Sequence, residues 1–299
     1  MESHQIAFRP VKEGELSQAA GLMNAEYARK KNEQYFRWQY SESYYPTVLF
    51  GSFEGDTLIG MFGLQKKLLS NGAAAGQALD LLMVPPWRGK GVFRKLAARA
   101  LSHFTGLDLY CVFPNAAGKR ACEKSLGWLT VAKINSLTVS RSQFTMNNLP
   151  PLSQTTLQTP LTRFSHSDQF HHWRFDRNAE YAYQYVRHSS HAYAVTKLFV
   201  DPVQGTKYGD IVDMEYGDND SSTAQKLYIR ACESLFMQGV DVITTWALPH
   251  TLLYHVAQSV GFAVRPRERY FCTQILNDRY RPFSNITNWC FMQADCEIY

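Results

Sequence analysis

Apolar and polar positions in the first half of the chain follow two different spacings, one typical of strands and one typical of helices. Residues 6–11 predict a strand, whereas residues 13–30 repeat apolar side chains at the spacing of a helix. Two β-rich runs, 47–53 and 58–65, flank a Gly-Asp turn and predict a hairpin. Residues 77–84 predict a further strand. This mixture of strands and helices predicts an α/β fold built on a mixed sheet.

Two of the predicted helices each present one apolar face. The helix at 13–30 is expected to bury Leu16, Ala19, Ala20, Met23 and Tyr27. A second helix is predicted at 92–104, and its apolar positions are Val92, Leu96, Ala97, Ala100, Leu101 and Phe104. Residues 85–91 are expected to form the turn between the strand and this second helix.

The second half of the chain repeats the first at an offset of about 134 positions. The aromatic cluster around Trp38 recurs around Trp173, and Asp80 recurs as Asp213. Landmarks in the same order at a nearly constant offset indicate that one fold has been duplicated.

A third pair of segments extends this repeat and sets the domain boundaries. The run 106–128, which predicts a strand, a loop and a short helix ending in Gly-aromatic, recurs at 239–262. Residues 147–160 are rich in Pro, Ser, Thr, Gln and Asn, as connecting segments commonly are. The sequence therefore predicts two tandem domains, 1–146 and 161–299, joined by this linker.

A basic loop with two glycines lies between the strand at 77–84 and the helix that starts at residue 92. Gly89 and Gly91 come directly before the first helical turn, where unpaired amides and the helix dipole favour an anion. Four basic residues surround the glycines: Arg88, Lys90, Arg94 and Lys95. This amount of positive charge suits a diphosphate, although a plain strand-to-helix turn is the alternative.

The corresponding loop of the second copy, within residues 215–227, has the opposite charge. Asp218 and Asp220 stand where the first copy has Arg and Lys, and the loop is two residues shorter. A purely structural turn would not be expected to differ this sharply, and acidic side chains repel phosphates. Phosphate binding is therefore predicted for the first copy alone.

Residues 88–93, RGKGVF, resemble the Q/R-x-x-G-x-G/A signature of the GNAT superfamily of N-acyltransferases. Phe93 departs from the Gly or Ala with which the signature usually ends. Asn115 and the segment EKSLGW at 123–128 are similar to a second family motif. The resemblance implies two tandem GNAT-like domains, of which the second is degenerate.

The resemblance also implies a cofactor and a reaction. Acetyl-CoA or another acyl-CoA would be held by Leu82, Met83, Val84, Arg88, Gly89, Lys90, Gly91, Val92, Phe93, Arg94 and Asn115. The reaction would transfer the acyl group to a primary amine of a small molecule or amino sugar. A non-catalytic acyl-CoA-binding module is the alternative. A transferase of the peptidoglycan or aminoacyl-tRNA type is a third reading, but it would be expected to carry a more basic nucleic-acid face.

Three residues are catalytic candidates, each with a structural alternative. Asp80 enters the strand that precedes the loop and is a base or an amine contact, although its recurrence as Asp213 favours a structural role. Glu123 stands where many members of the family have a tyrosine that protonates the thiolate, and it could carry a proton if burial raised its pKa. Tyr110 is the third candidate, against a role in the core.

Composition bears on nucleic-acid binding, cellular location and metal binding. The chain has 31 basic and 26 acidic residues without a long run of one sign, too mild a balance to indicate nucleic-acid binding. An export signal and an apolar stretch of membrane length are both missing, which favours a cytoplasmic protein with no membrane partner. Six cysteines without a CxxC pair, and five histidines within 166–191, match no common ligand spacing, so no metal is expected. The oligomeric state stays open.

Overall fold

The computed structural model describes residues 5–28, 30–145, 161–217 and 220–297. The predicted linker at 147–160 lies outside the described residues. The strands are β1 (Ile6–Pro10), β2 (Thr47–Glu54), β3 (Thr57–Leu68), β4 (Ala74–Met83), β5 (Leu109–Val112), β6 (Leu129–Ser140), β7 (Tyr183–Arg187), β8 (Tyr193–Val200), β9 (Lys207–Glu215), β10 (Val242–Thr245) and β11 (Ala263–Ile275). The helices are α1 (Leu16–Glu26), α2 (Glu33–Phe36), α3 (Val92–Leu101), α4 (Ala116–Ala121), α5 (Asp168–His171), α6 (Ser221–Met237) and α7 (Leu252–Ser259). These elements confirm the predicted α/β fold with a mixed sheet.

The chain forms two compact units that do not coincide with its two halves. Unit 1 comprises Met1–Ala132, Phe164–Glu180 and Tyr270–Ser284, and unit 2 comprises Lys133–Arg163, Tyr181–Arg269 and Asn285–Tyr299. Each of the long strands β6 and β11 therefore contributes one part to each unit. The contiguous domains 1–146 and 161–299 stay a prediction.

The sheet of unit 1 has the order β1-β2-β3-β4-β5, followed by the C-terminal part of β11. Its neighbouring strands are antiparallel except for β4 and β5, which are parallel. Helix α3 packs on this sheet and buries Val92, Leu96, Ala97 and Ala100, as predicted from their spacing. Ala78 and Met83 of β4 belong to the same apolar cluster, so packed elements hold the loop at both of its ends.

The sheet of unit 2 has the order β7-β8-β9-β10, followed by the C-terminal part of β6. Strands β9 and β10 are parallel and the others are antiparallel. Helices α6 and α7 pack against Val139, Ile211 and Ile243 in one apolar cluster. The order β2-β3-β4-β5-β11 of unit 1 is thus repeated as β7-β8-β9-β10-β6 in unit 2, whereas β1 has no counterpart among the described strands of unit 2.

Landmarks of the sequence repeat occupy equivalent elements. Trp38 and Trp173 each lie in a π-helical turn, Arg37–Ser41 and His172–Asp176, that continues a short α-helix. Asp80 and Asp213 each lie where a strand bulges against its antiparallel neighbour. The structure therefore supports duplication at the level of individual turns and bulges.

Unit 1 brings the two repeated tryptophans together. The rings of Trp38 and Trp173 stack with centroids 4.9 Å apart and planes inclined by 15°. The indole N–H of Trp38 donates to the carbonyl of Trp173 at 3.0 Å, and that of Trp173 donates to the carbonyl of Trp38 at 3.1 Å. Both donors and both acceptors are thereby satisfied inside the core.

The first predicted helix is shorter than expected. A 3₁₀ turn, Glu13–Glu15, precedes α1, which ends at Glu26. Tyr27 is extended and exposed, so its predicted place on the buried face is wrong. The amide of Asn24 forms hydrogen bonds of 2.7 Å with both the N–H and the carbonyl of Lys31, which turns the chain back beyond the helix.

An ion pair at the start of unit 1 makes stability dependent on pH. Arg9 donates two hydrogen bonds of 2.8 Å to the carboxylate of Glu15 and, with the N–H of Lys12, lowers the pKa of Glu15 to about 2. A carboxylate whose pKa is depressed on folding stabilises the protein above its ordinary pKa, here 4.5, and loses that contribution as the pH falls towards 2.

We expect Glu15→Gln to lower the free energy of unfolding by about 0.5–1 kcal/mol at pH 7, since the pair is partly exposed. The difference from wild type should shrink below a pH of about 4.5 and be lost near pH 2. Urea denaturation across this range measures it, with Arg9→Gln completing a double-mutant cycle. A difference that stayed constant down to pH 2 would contradict this assignment.

Candidate functional site

Strands β4 and β5 separate part-way along unit 1. They pair in parallel only over Ala75–Gln77, opposite Leu109–Cys111. Residues 78–83 of β4 therefore lie beyond the ladder with β5, while they continue to pair with β3 on the other side. A strand edge without a neighbour offers its amides and carbonyls to a ligand. The predicted contact residues Leu82 and Met83 lie in this segment.

Two backbone groups at the end of β4 already have partners. The carbonyl of Met83 accepts a 2.7 Å hydrogen bond from Nε of Arg88, and the N–H of Val84 donates to Ile59 at 3.0 Å. These groups hold the end of the strand in place. Leu82 is paired with Met61 of β3, and its predicted contact with the thioester arm stays a prediction.

The loop after β4 ends in two left-handed glycines. Gly89 and Gly91 both have a φ of 76°, a conformation that strains any residue with a Cβ. Gly91 is the N-cap of α3 and offers no side chain to cap the helix. The first helical hydrogen bond runs from Lys95 to Gly91, which leaves the N–H groups of residues 92–94 pointing out of the helix start.

The first turn of α3 carries the wrong charge for an unliganded helix. Acidic side chains are favoured near a helix N-terminus, yet this turn has none, and Arg94 and Lys95 follow the cap instead. Each cation in such a position costs about 0.3–1 kcal/mol. A bound anion would reverse this cost, because it would attract both the amides and the cations.

Side chains at the loop divide between the core and the surface. Val92 is buried, and Phe93 packs with its ring centroid 6.0 Å from that of Phe62, so these two residues present backbone amides rather than side chains. The departure of Phe93 from the expected signature is thus accommodated by the core. Lys90 lies over the ring of Trp87 at 5.0 Å.

The side chain of Arg88 has two partners within unit 1. Besides its bond to Met83, its Nη2 lies 2.8 Å from Glu26 at the end of α1. About half of the side chain remains exposed. Arg88 therefore ties the loop to both β4 and α1, and its predicted contact with phosphate stays a prediction.

The equivalent helix of unit 2 starts differently. Asp220 is the N-cap of α6, and its carboxylate accepts a 2.9 Å hydrogen bond from the N–H of Thr223. Contacts with Thr223 lower the pKa of Asp220, so its carboxyl is ionised at neutral pH. The start of α6 thus already has an anion of its own. Asp218 of the same loop lies outside the described residues.

Asp80 sits at the bulge of β4 with a φ of 49°, which is unusual for a residue other than glycine. The hydroxyl of Tyr40 donates to its Oδ2 at 2.7 Å. Tyr40 approaches the backbone closely at Gly63, where an added Cβ would lie 2.2 Å from its hydroxyl oxygen. A residue held in a strained conformation at the open end of a strand is a candidate for a functional role.

Glu123 does not have the properties of a proton donor. Its carboxylate accepts hydrogen bonds from the hydroxyl of Thr130 at 2.7 Å and from Lys119 at 3.1 Å. These bonds, that of Thr130 foremost, lower the pKa of Glu123. The condition for acid catalysis was a raised pKa, and the structure shows the opposite.

Tyr110 and Asn115 have structural partners. The hydroxyl of Tyr110 donates to the carbonyl of Leu101 at 2.7 Å, and its ring stacks on Trp128 with centroids 5.8 Å apart. Leu101 ends α3, so this hydroxyl lies at the opposite end of that helix from the loop. These contacts favour a core role for Tyr110, and its catalytic role stays a prediction. Asn115 caps α4 by accepting from the N–H of Gly118 at 2.8 Å.

Comparison with known proteins identifies the fold. No protein-family model matches the sequence, and no curated protein matches it. A GCN5-related N-acetyltransferase from Anabaena variabilis superposes with a TM-score of 0.63 at 11% identity, covering 92% of this chain and 74% of its own. The chain has the GNAT fold.

Two further solved structures with the GNAT fold are similar over most of the chain. A tandem GNAT protein from the clavulanic acid biosynthesis pathway gives a TM-score of 0.52 at 13% identity, covering 91% of this chain and 98% of its own. A GCN5-related glucosamine N-acetyltransferase region of a fungal β-N-acetylglucosaminidase gives a TM-score of 0.58 at 12% identity, covering 91% of this chain and 38% of its own. The match to the tandem protein agrees with the predicted pair of GNAT-like domains.

The GNAT fold of this chain includes functional candidates that sequence reasoning missed. Tyr40 lies within the aromatic cluster around Trp38, and only the structure shows that its hydroxyl donates to Asp80. Glu26 has no sequence signal that connects it with Arg88.

Among the described residues, no helix combines the length and apolar character needed to cross a bilayer.

Proposed function

We propose that this protein is an acyl-CoA-dependent N-acyltransferase, most simply an N-acetyltransferase, that uses the loop before α3 in unit 1. The observation that carries this proposal is the start of α3, with its left-handed Gly91 cap, outward-pointing amides and basic first turn. An anion placed there would satisfy the amides and offset the charge of Arg94 and Lys95. The diphosphate of CoA supplies such an anion.

Unit 2 serves as an internal comparison for this proposal. Its strands β7-β8-β9-β10 repeat the order of β2-β3-β4-β5, but Asp220 occupies the start of α6 with its own carboxylate. Acyl-CoA binding is therefore assigned to unit 1 alone. The acyl arm would extend along residues 78–83 of β4, where the strand has no partner in β5.

The proposed reaction is a direct transfer. The amine nitrogen of the acceptor attacks the thioester carbonyl, a C–N bond forms, the C–S bond breaks and CoA leaves as a thiolate. Asp80 is proposed to take the proton that the amine loses. Tyr40 orients the Asp80 carboxylate through its 2.7 Å hydrogen bond. Because Glu123 is held ionised, the thiolate is proposed to obtain its proton from solvent.

The acceptor is proposed to be a small primary amine, and amino sugars are the first class to examine. One similar structure belongs to a glucosamine N-acetyltransferase region, which supports including that class. A non-catalytic acyl-CoA-binding module is the second candidate. The low pKa of Glu123, which stands in the position of the usual acid, favours that alternative.

Release of free thiol from acetyl-CoA over a panel of amines separates the two candidates. The panel should include glucosamine, a polyamine, an amino acid and a lysine peptide, and calorimetry should measure acetyl-CoA binding in parallel. Turnover above the rate of spontaneous hydrolysis supports the enzyme. Tight binding without turnover for every acceptor supports the module, and the absence of binding would contradict both.

With an acceptor in hand, Asp80→Asn tests the proposed base. We expect kcat to fall by about 10²–10⁴-fold, the usual contribution of a general base, while KM for acetyl-CoA changes little. Tyr40→Phe should lower kcat less, by about tenfold, because the carboxylate remains but loses its orienting bond. Steady-state kinetics measures both effects.

The control for this test is Tyr44→Phe, which removes a hydroxyl from the same aromatic cluster. Tyr44 is exposed, and its hydroxyl accepts from Ser167 rather than contacting β4. It should leave kcat unchanged. An Asp80→Asn enzyme that folds normally and keeps the wild-type kcat would remove Asp80 from the mechanism.

A further inference from the structure

Unit 2 contains a cavity of about 380 Å³ that the proposed reaction does not use. Ile211 and Ile243 pack under α6 and α7, whereas Asp210 and Thr244, their neighbours in sequence, line the cavity. Since successive side chains of a strand point to opposite faces, the cavity lies on the face of the sheet away from these helices. Its volume falls in the range of small-molecule sites.

A row of arginines forms one side of this cavity. Arg265, Arg267 and Arg269 alternate along β11 and therefore share one face of the strand. Within the part of the chain that the structure describes, Arg265 and Arg267 form no ion pair or hydrogen bond. Guanidinium groups in this state are available for the paired hydrogen bonds that they make with carboxylates and phosphates.

Two acidic residues of the cavity are already satisfied by other groups. Asp210 accepts a 2.5 Å hydrogen bond from the hydroxyl of Thr244, and its other oxygen lies 3.6 Å from Nζ of Lys197. Asp201 accepts from the N–H groups of Val203 and Gln204, and it also feels the charge of Arg267. Glu268 is the third acid at the cavity. The three arginines and three acids of the lining are equal in number, but the charge of Asp210 is also offset by Lys197, which does not itself line the cavity.

Aromatic side chains also line the cavity. Phe199 and Tyr208 stack with centroids 6.3 Å apart, and the buried Trp246 also lines the cavity. Flat apolar surfaces beside hydrogen-bonding side chains suit a ring that carries hydroxyl groups. The hydroxyls of Ser136 and Thr244 supply polar partners.

The internal repeat shows that the fold does not require this chemistry. In β6, the strand equivalent to β11, Val131, Lys133 and Asn135 stand where β11 has its three arginines. Cys111 of β5 stands where β10 has Thr244. The same strands thus fold in the other copy with one cation instead of three, so the arginines of unit 2 need another explanation.

We propose that this cavity binds a small organic oxyanion, a sugar phosphate or a sugar acid. Arg265 and Arg267 bind its charged group, and Phe199 and Tyr208 contact its ring. The proposal concerns unit 2 alone and does not depend on acyl transfer in unit 1.

Calorimetry on the full chain without CoA tests the proposal with glucose 6-phosphate, glucuronate and inorganic phosphate as probes. We expect at least one of the two ring probes to bind more tightly than inorganic phosphate, and whichever binds better identifies the charged group. The double variant R265Q/R267Q should weaken that binding at least tenfold, because two charged donors are lost. Phe199→Ala should weaken the ring probe but leave inorganic phosphate unchanged.

Arg230→Gln is the matched control, since it removes one exposed arginine of the same unit from α6, under the opposite face of the sheet. It should keep the wild-type dissociation constant. No heat from any probe at about 10 mM, equal affinity for inorganic phosphate and both ring probes, or wild-type affinity in R265Q/R267Q would overturn the proposal.

Discussion

Replacing Gly91 with aspartate should weaken acetyl-CoA binding at least 100-fold, about 2.7 kcal/mol, while the protein stays folded. The new carboxylate would lie at the N-cap of α3, where it would accept from the helix amides and repel a diphosphate. Unit 2 already contains this arrangement in Asp220. Calorimetry with acetyl-CoA measures the loss.

Gly106→Asp is the matched control for this prediction. Gly106 has a φ of 67° against 76° for Gly91, and an added Cβ meets no atom within 4 Å at either position. The two variants therefore carry the same new charge and a similar backbone strain, and only the position differs. Equal losses of affinity in both variants would show that strain, rather than the helix start, causes the effect.

Two further variants extend the test to neighbouring side chains. Arg88→Glu should also weaken acetyl-CoA binding strongly, because it brings a second carboxylate next to Glu26 and releases the carbonyl of Met83. Asp220→Ala in unit 2 should leave acetyl-CoA affinity unchanged. A loss of affinity in Asp220→Ala would contradict the assignment of acetyl-CoA to unit 1.

Trp38→Ala should lower the free energy of unfolding by about 3–5 kcal/mol, the usual cost of truncating a buried tryptophan. The variant loses the stacked ring and also leaves the carbonyl of Trp173 without its indole donor. Trp173→Ala should cost a similar amount for the same reasons. Because the contacts are reciprocal, the double variant should cost less than the sum of the single ones. Urea denaturation followed by circular dichroism measures all three.

A conservative pair of variants separates the hydrogen bond from the packing. Trp38→Phe keeps a ring but removes the N–H that bonds to Trp173, so we expect a cost of about 1–3 kcal/mol beyond the loss of size. Trp128 is equally buried, but its Nε1 has no hydrogen-bond partner among the described residues. Trp128→Phe should therefore be the milder change. The reverse order of stability would contradict the role assigned to the tryptophan pair.

Local patterns predicted most of the fold because they depend on short-range chemistry. Two β-rich runs around a Gly-Asp turn predicted β2 and β3, and the helical spacing of Val92, Leu96 and Ala100 predicted the buried face of α3. The repeat correctly paired Trp38 with Trp173. It could not show that these tryptophans contact each other, because an offset describes equivalence and not proximity.

The division into two units could not be predicted from the sequence, because a repeat describes equivalent elements and not their contacts. A duplicated pattern predicts that each copy contains similar elements, yet segments 164–180 and 270–284 belong to unit 1. Long strands such as β6 and β11 carry no signal that says which core each part will join. Periodicity identifies an element, whereas its partners are set by tertiary packing.

Some candidate site residues could be predicted from local sequence, whereas the roles of others depend on contacts in three dimensions. Gly89 and Gly91 were predictable because a left-handed turn before a helix requires that residue type. Glu123 was predicted from its position in a family motif and Tyr110 from its place on the strand before Asn115. Their hydrogen bonds to Thr130 and Leu101 could be seen only in three dimensions. The alternating arginines of β11 gave no sequence signal of a site, because every second residue of a strand is often charged.

A crystal structure of the full chain with acetyl-CoA would examine the coenzyme site most directly. We expect the diphosphate oxygens to lie about 3 Å from the backbone nitrogens of residues 92–94, at the start of α3. Diphosphate density at α6, elsewhere on the protein, or nowhere at saturating acetyl-CoA would contradict the proposed function.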